Sequence, residues 1–199
     1  MKLIHIAVMA TLGALSPVLA FGTDNKLTGD FIDNISSTAY NFQAYPDSKL
    51  PKLTKAPKGY EAFHLEHYGR HGSRWLVGPN DYIAPREILL KADADGKLTP
   101  RGKEVLNEVC DIAVGAHLRW GDLTPLGARQ HQGIARRMVK NYPTIFKDGT
   151  KVDAKSTVVI RCILSMLNEL QEMKPMVPGL DITTDASWAE MLYMNNSDT

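Results

Sequence analysis

A chain of 199 residues, 44% hydrophobic and 23% charged, is long enough for one globular domain with its own core and too apolar for a disordered segment. Its 23 Lys+Arg against 22 Asp+Glu leave a formal charge of +1, which sets aside proteins that hold nucleic acid through bulk positive charge. Ordinary Gly and Cys counts exclude collagen-like and disulfide-knot scaffolds, and the longest apolar run is too short for a membrane span.

That run opens the chain. Lys2 gives a positive start, residues 4–15 an apolar middle, and Ser16-Pro17 a helix break. Val18-Leu19-Ala20 then supplies the small residues of a cleavage site, so residues 1–20 read as a signal peptide and the chain as exported, to the periplasm or beyond. Cleavage there removes only Lys2 from the charge count, and with no Cys after the site a lipid anchor is not expected. In an oxidising compartment Cys110 and Cys162 can pair, but two separate buried thiols fit the sequence equally well.

Residues 21–59 form a polar lead-in punctuated by Pro46, Pro51, Pro57 and Gly59, with one short helix expected near residues 30–37. Residues 60–68 then alternate, with Ala62, His64 and Glu66 on one side and Phe63, Leu65 and His67 on the other. Aromatic-rich and stopped by Gly69, they read as a strand. Residues 80–145 form a helical segment. Leu98-Thr99-Pro100 and Leu123-Thr124-Pro125 are matching helix starts, each a Thr N-cap followed by Pro at the first helical position. The first helix carries an apolar stripe of Val105, Val109, Ile112, Ala113 and Ala116, and the second one of Leu126, Ile134, Ala135, Met138 and Val139. The residues after the two starts differ, so these are similar caps and not a repeat. A strand is expected within residues 152–160. It leads to a helix over 161–173 with Ile163, Leu164, Leu167 and Leu170 inward, and a last strand covers 180–184. Strands alternating with long helices predict an α/β layer fold with a mainly parallel sheet, although few strands are present for one.

Chemistry concentrates in Arg70-His71-Gly72-Ser73-Arg74, directly after the first of these strands, where ligands bind in open α/β sheets. Two guanidinium groups bracket an imidazole, and their planar donor forks match phosphate oxygens two at a time. Gly72 removes a side chain where the backbone turns and an anion approaches. Neighbouring positive charge disfavours the protonated ring, so His71 stays neutral and able to attack a phosphorus whose oxygens the arginines hold. The product is a phosphohistidine. No metal or other cofactor is needed, but a separate acid must protonate the leaving alcohol.

His67-Tyr-Gly-Arg-His-Gly-Ser-Arg-Trp75 resembles the signature of the histidine acid phosphatases, and most of all that of the bacterial multiple inositol-polyphosphate phosphatases, which act on phytate. Gly121-Asp-Leu-Thr-Pro-Leu-Gly-Ala-Arg-Gln-His131 and Ser156-Thr-Val-Val-Ile-Arg-Cys-Ile-Leu-Ser165 resemble two further stretches of that family, in the family's order. The resemblance implies a phosphoglycerate-mutase-like three-layer fold with a mainly parallel central sheet and a helical insertion. It implies His71 as the phosphorylated nucleophile, Arg70, Arg74 and Arg161 as the arginines holding the transferred phosphate, and a small phosphorylated substrate such as an inositol phosphate. Arg74-Trp75-Leu76 replaces the wider family's Arg-x-Pro, as in the inositol-polyphosphate branch. The larger departure is downstream. No His follows His131, and nothing after Arg161 resembles the family's His-Ala-Glu or His-Asp proton-donor motif. The resemblance therefore implies residues 60–199 as the N-terminal part of such a catalytic domain, with an incomplete sheet and no proton donor in this chain.

Two other enzymatic or binding readings stay beside this one: a general acid phosphatase of the same family, and a fragment that binds phosphate or phytate without turning it over. A metal site at His64, His67 and His71 is disfavoured, because Gly69 and Gly72 argue against a helix and a strand turns His64 and His67 to opposite faces. The stretch from Lys91 to Gly96 fails as a calcium loop, with Lys91 and Gly102 where carboxylates are required. His131, on the apolar face of its helix with Ile134 and Met138, reads as a satisfied core histidine.

Overall fold

In a computed structural model, which describes the backbone of Leu3–Val8 together with Tyr45 and residues 53–194, four parallel strands form one sheet. These are β1 (Leu3–Val8), β2 (Glu66–Gly69), β3 (Lys151–Ser156) and β4 (Asp181–Ala186), in the order β2-β1-β3-β4. The helices are α1 (Asn80–Ala94), α2 (Pro100–Gly115), α3 (Pro125–Asn141), α4 (Ile160–Met176) and α5 (Trp188–Met194). This is a mixed α/β chain with a small parallel sheet. Among the described residues no helix is long and apolar enough to cross a membrane.

The sheet is covered unequally, and its sequence says why. In β3 the buried residues are Val152, Ala154 and Ser156, alternating with the less buried Asp153 and Lys155. Helices α3 and α4 pack on the buried side, where Ala135, Met138, Val139, Met166, Leu170 and Met173 meet Val152 and Ala154. Ile145, Phe146 and Leu180 close the end of this core. On the other side Lys155 reaches Glu190 of α5 in a 3.0 Å ion pair. A parallel strand with helices over both faces reads as a continuous apolar run; β3 alternates because one face is covered far better than the other.

Both Thr-Pro helix starts behave as expected. Thr99 Oγ1 accepts from Gly102 N–H and Thr124 Oγ1 from Gly127 N–H, each at 3.1 Å. Within the expected stripes, Ala116, Ala135, Met138 and Val139 are buried, whereas Ile112 and Leu126 are exposed and Leu106 is buried in their place.

Several expectations are corrected. The first strand is shorter than residues 60–68: it pairs over Glu66–Gly69, because Phe63 is 73% exposed while Ala62 and Leu65 pack against the core. Leu3–Val8, within the segment read as a signal peptide, forms a strand between β2 and β3, with His5 opposite Glu66 and Leu3 opposite Lys151, a pairing that leaves the export expectation as it stood. Its residues Ile4, Ile6 and Val8 are strong strand formers, which suits them to this pairing. The rest of residues 1–20 and the short helix expected at 30–37 lie outside the described residues. Helix α4 runs on to Met176, holding Pro175 in its last turn, and is turned about its axis from the expected face. Leu164 and Leu167 are exposed while Cys162, Ser165, Met166, Glu169, Leu170 and Met173 are buried. Cys110 and Cys162 are unpaired, so they stand as separate thiols, but only Cys162 is buried; Cys110 is half-exposed.

Candidate active site

Parallel strands point their carboxyl ends to one edge of the sheet. β2 ends at Gly69 and delivers Arg70 to Arg74 there; β3 ends at Ser156 and delivers, through Thr157 to Val159, the N-terminus of α4 with Arg161 in its first turn. The four residues singled out in the sequence thus converge from segments about ninety positions apart in the chain. His71 feels the positive charges of Arg161, Arg70 and Arg74 together.

The loop that holds them is fastened from below by helices. Gly72 N–H donates to Ser165 Oγ of α4 at 3.1 Å, and Ser73 N–H donates to Gln130 Oε1 of α3 at 2.8 Å. Ser73 carbonyl accepts from Thr124 N–H at 2.9 Å and from Thr124 Oγ1 at 2.8 Å. The same threonine hydroxyl therefore caps α3 and ties the loop to it. Beyond Arg74 the chain runs against residues 121–123, with Trp75 N–H on Asp122 carbonyl and Gly121 N–H on Leu76 carbonyl.

Gly72 has a packing role beside the turn its sequence context suggests. A Cβ there would lie 2.6 Å from Gly127 Cα and closer still to the Gly127 carbonyl oxygen. A Cβ on Gly127 would in turn strike Ser73 N at 2.8 Å and Leu123 Cδ1 at 2.7 Å. Two glycines interlock so that the loop can lie on the first turn of α3. Close helix approach therefore requires Gly72.

His71 Nδ1 lies 2.8 Å from Gly72 carbonyl oxygen. A carbonyl can only accept, so Nδ1 carries the proton and Nε2 keeps its lone pair. The ring's pKa is lowered to about 4, first by burial and then by Arg161, Arg70 and Arg74, against the opposing pull of the Gly72 carbonyl. The lowered value agrees with the neutral ring expected from the sequence, with burial a larger cause than any one of the three arginines. Arg74 is itself held below its usual range by burial and by the charges of Arg161 and Arg70. Buried Nε atoms of Arg74 and Arg161 have no hydrogen-bond partner among the described residues, a costly arrangement that an anionic ligand would relieve. Arg161 is further placed by Gly121, at φ +76°, where a Cβ would press on its Nη1 at 3.4 Å.

His64, His67 and His71 do not come together. His71 is bonded to Gly72 carbonyl, His67 faces Glu169 at 3.4 Å, and among the described residues no group of three or more His, Cys, Asp or Glu side chains is arranged to hold a metal ion. His131 is a satisfied core histidine as expected: 2% exposed, its Nδ1 is bonded to Glu169 Oε1 at 2.5 Å. Sequence reasoning missed Gln130, Ser165 and Glu169 as parts of the site's support. The only signal was their place inside the two motif stretches or one turn beyond. No family model matches the chain, and no curated protein matches it significantly.

Proposed function

We propose that the site transfers the phosphoryl group of a phosphomonoester to His71 Nε2 and then to water, with inositol polyphosphates as the substrate class. The observation that carries this is the state of His71: a half-buried neutral ring with its proton on Nδ1 toward Gly72 carbonyl, Nε2 available, and three arginine charges around it. Arg70, Arg74 and Arg161 hold the phosphate oxygens and neutralise the charge that builds on them. The Nε2 lone pair forms the N–P bond as the P–O bond breaks, and the bonding pair leaves with the alcohol oxygen, which takes its proton from solvent water, a slower route than a built-in acid. Water then adds to phosphorus and the N–P bond breaks, returning neutral His71 and inorganic phosphate. The dense positive charge favours a polyanionic substrate over a singly phosphorylated one. This reading also makes the sheet part of a phosphoglycerate-mutase-like three-layer fold, supported by the parallel strands and by the loop's position at their carboxyl edge.

Hydrolysis of nitrophenyl phosphate and of inositol hexakisphosphate by the purified chain and by His71→Ala tests it. Loss of all turnover in the variant, with phosphate still bound, supports the assignment; equal rates contradict it. Phosphate binding without turnover in the wild-type chain would favour the binding-only alternative.

A further inference from the structure

Beneath the Arg70–Arg74 loop lies a polar brace for which phosphoryl transfer gives no direct task. Glu169 of α4 is fully buried. Its Oε1 accepts from His131 Nδ1 of α3 and faces His67 Nε2 of β2 at 3.4 Å, an electrostatic contact out of line for a good hydrogen bond. Burial pushes this carboxyl pKa up, but His131 and His67 outweigh that and hold it below the usual carboxylate range. These two are the groups that act on it, one from each neighbouring element. The charge therefore persists at a depth where an apolar side chain of the same volume would generally stabilise as well or better.

Each arm of the brace adjoins an anchor of the loop. His131 follows Gln130, which takes the Ser73 N–H. Ser165, one turn before Glu169, takes the Gly72 N–H. The His67 ring lies along the backbone at Gly69, where a Cβ would meet its Nε2 at 2.7 Å. The contacts along residues 69–73 thus come from His67 itself, from the neighbour of His131 and from the residue one turn before Glu169. The Glu169–His131 bond spans the seam between α3 and α4 at the level where both helices hold the loop.

We propose that Glu169 is a positioning residue: by joining His131 and His67 it holds α3, α4 and β2 at the spacing that seats the His71 ring against Gly72 carbonyl beneath the arginines. This deepens the phosphoryl-transfer reading and rests on it for the role of His71. A purely structural brace would change stability alone. A positioning brace also changes the environment of a ring that it never touches.

The test is an NMR titration of histidine ring signals in the full chain and in Glu169→Gln, which keeps size and shape but removes the charge. In the wild type His71 is expected to titrate well below the ordinary histidine value, at about 4. In Glu169→Gln the midpoint is expected to rise by about one unit or more toward the ordinary histidine value, and inorganic phosphate to bind about tenfold more weakly. A lower melting temperature with an unchanged His71 midpoint and unchanged phosphate affinity would overturn the proposal. Should Glu169→Gln not fold, His67→Gln removes one arm and leaves the His131 bond. Its His71 midpoint rises if the brace positions the loop, and an unshifted midpoint overturns the proposal equally. Neither readout needs turnover. A shifted midpoint in a chain that hydrolyses nothing would uphold the brace and reject phosphoryl transfer, whereas turnover with an unshifted midpoint would reject the brace alone.

Discussion

Replacing Gly127 by Ala sets two effects of opposite sign against each other. Gly127 stands in the first turn of α3, where helix propensity alone predicts that Ala stabilises by up to about 1 kcal/mol. The added Cβ, however, would lie 2.8 Å from Ser73 N and 2.7 Å from Leu123 Cδ1, and nearer still to Ser73 carbonyl oxygen. Two of these obstacles are backbone atoms of a loop already tied down by Gln130 and Thr124, so they yield only by moving the loop. Overpacking of this kind costs about 1–3 kcal/mol, and rigid neighbours place this site at the upper end. The net expectation is a loss of about 1–2 kcal/mol, together with weaker phosphate binding because His71 moves with Ser73. Gly115→Ala is the control. It lies in the last turn of α2 with only Trp75 Cη2 near, at an ordinary 3.6 Å, so the same exchange there should be neutral or stabilise by several tenths of a kcal/mol. Urea unfolding of both variants, with phosphate titrations followed by NMR, supplies the comparison. Equal stabilisation of the two, with phosphate affinity intact at Gly127→Ala, would refute the interlock between Gly72 and Gly127.

Three other expectations are open to direct measurement. Thr124→Ala should cost about 1–2 kcal/mol in urea unfolding and Thr99→Ala about 0.5–1, since Thr124 both caps a helix and donates to Ser73 carbonyl whereas Thr99 is an exposed cap. His71 prefers its neutral form on folding, so its contribution to stability is complete above the unfolded-state pKa of about 6.5 and is lost as pH falls toward about 4. Replacing it with Asn should flatten the unfolding free energy across that window, and a profile of unchanged slope would reject the lowered pKa. Arg161→Ala should weaken phosphate binding by about ten- to a hundredfold, the equivalent of one charge-assisted contact at about 1.5–3 kcal/mol, and calorimetry showing unchanged affinity would remove Arg161 from the cradle.

What was legible in the sequence was local. Thr-Pro helix starts announce themselves through two adjacent residues, and both caps form as read. The loop was legible because arginines and a histidine after a strand have few structural uses. Helix α4 misled because its buried face carries Ser165 and Glu169 while Leu164 and Leu167 face outward, so hydrophobic periodicity pointed to the wrong side. Those two polar residues are buried for partners that lie about ninety and forty positions away, and no local pattern encodes such pairing. The packing reason for Gly72 was not legible, since the atoms a side chain there would strike belong to Gly127, 55 positions away. Helix α5, seven residues long, is too short to show a period.

Covalent trapping tests most directly whether His71 acts as a nucleophile. The chain would be mixed with a phosphomonoester, quenched in alkali to preserve an N–P bond, digested, and its peptides analysed by mass spectrometry with phosphorus NMR on the intact product. One acid-labile phosphoryl group is expected on the peptide carrying His71, attached at Nε2 because Nδ1 is held by Gly72 carbonyl. Phosphate on a serine, on Nδ1 or on His67, or turnover that leaves no labelled histidine under conditions where dephosphorylation is rate-limiting, would contradict it.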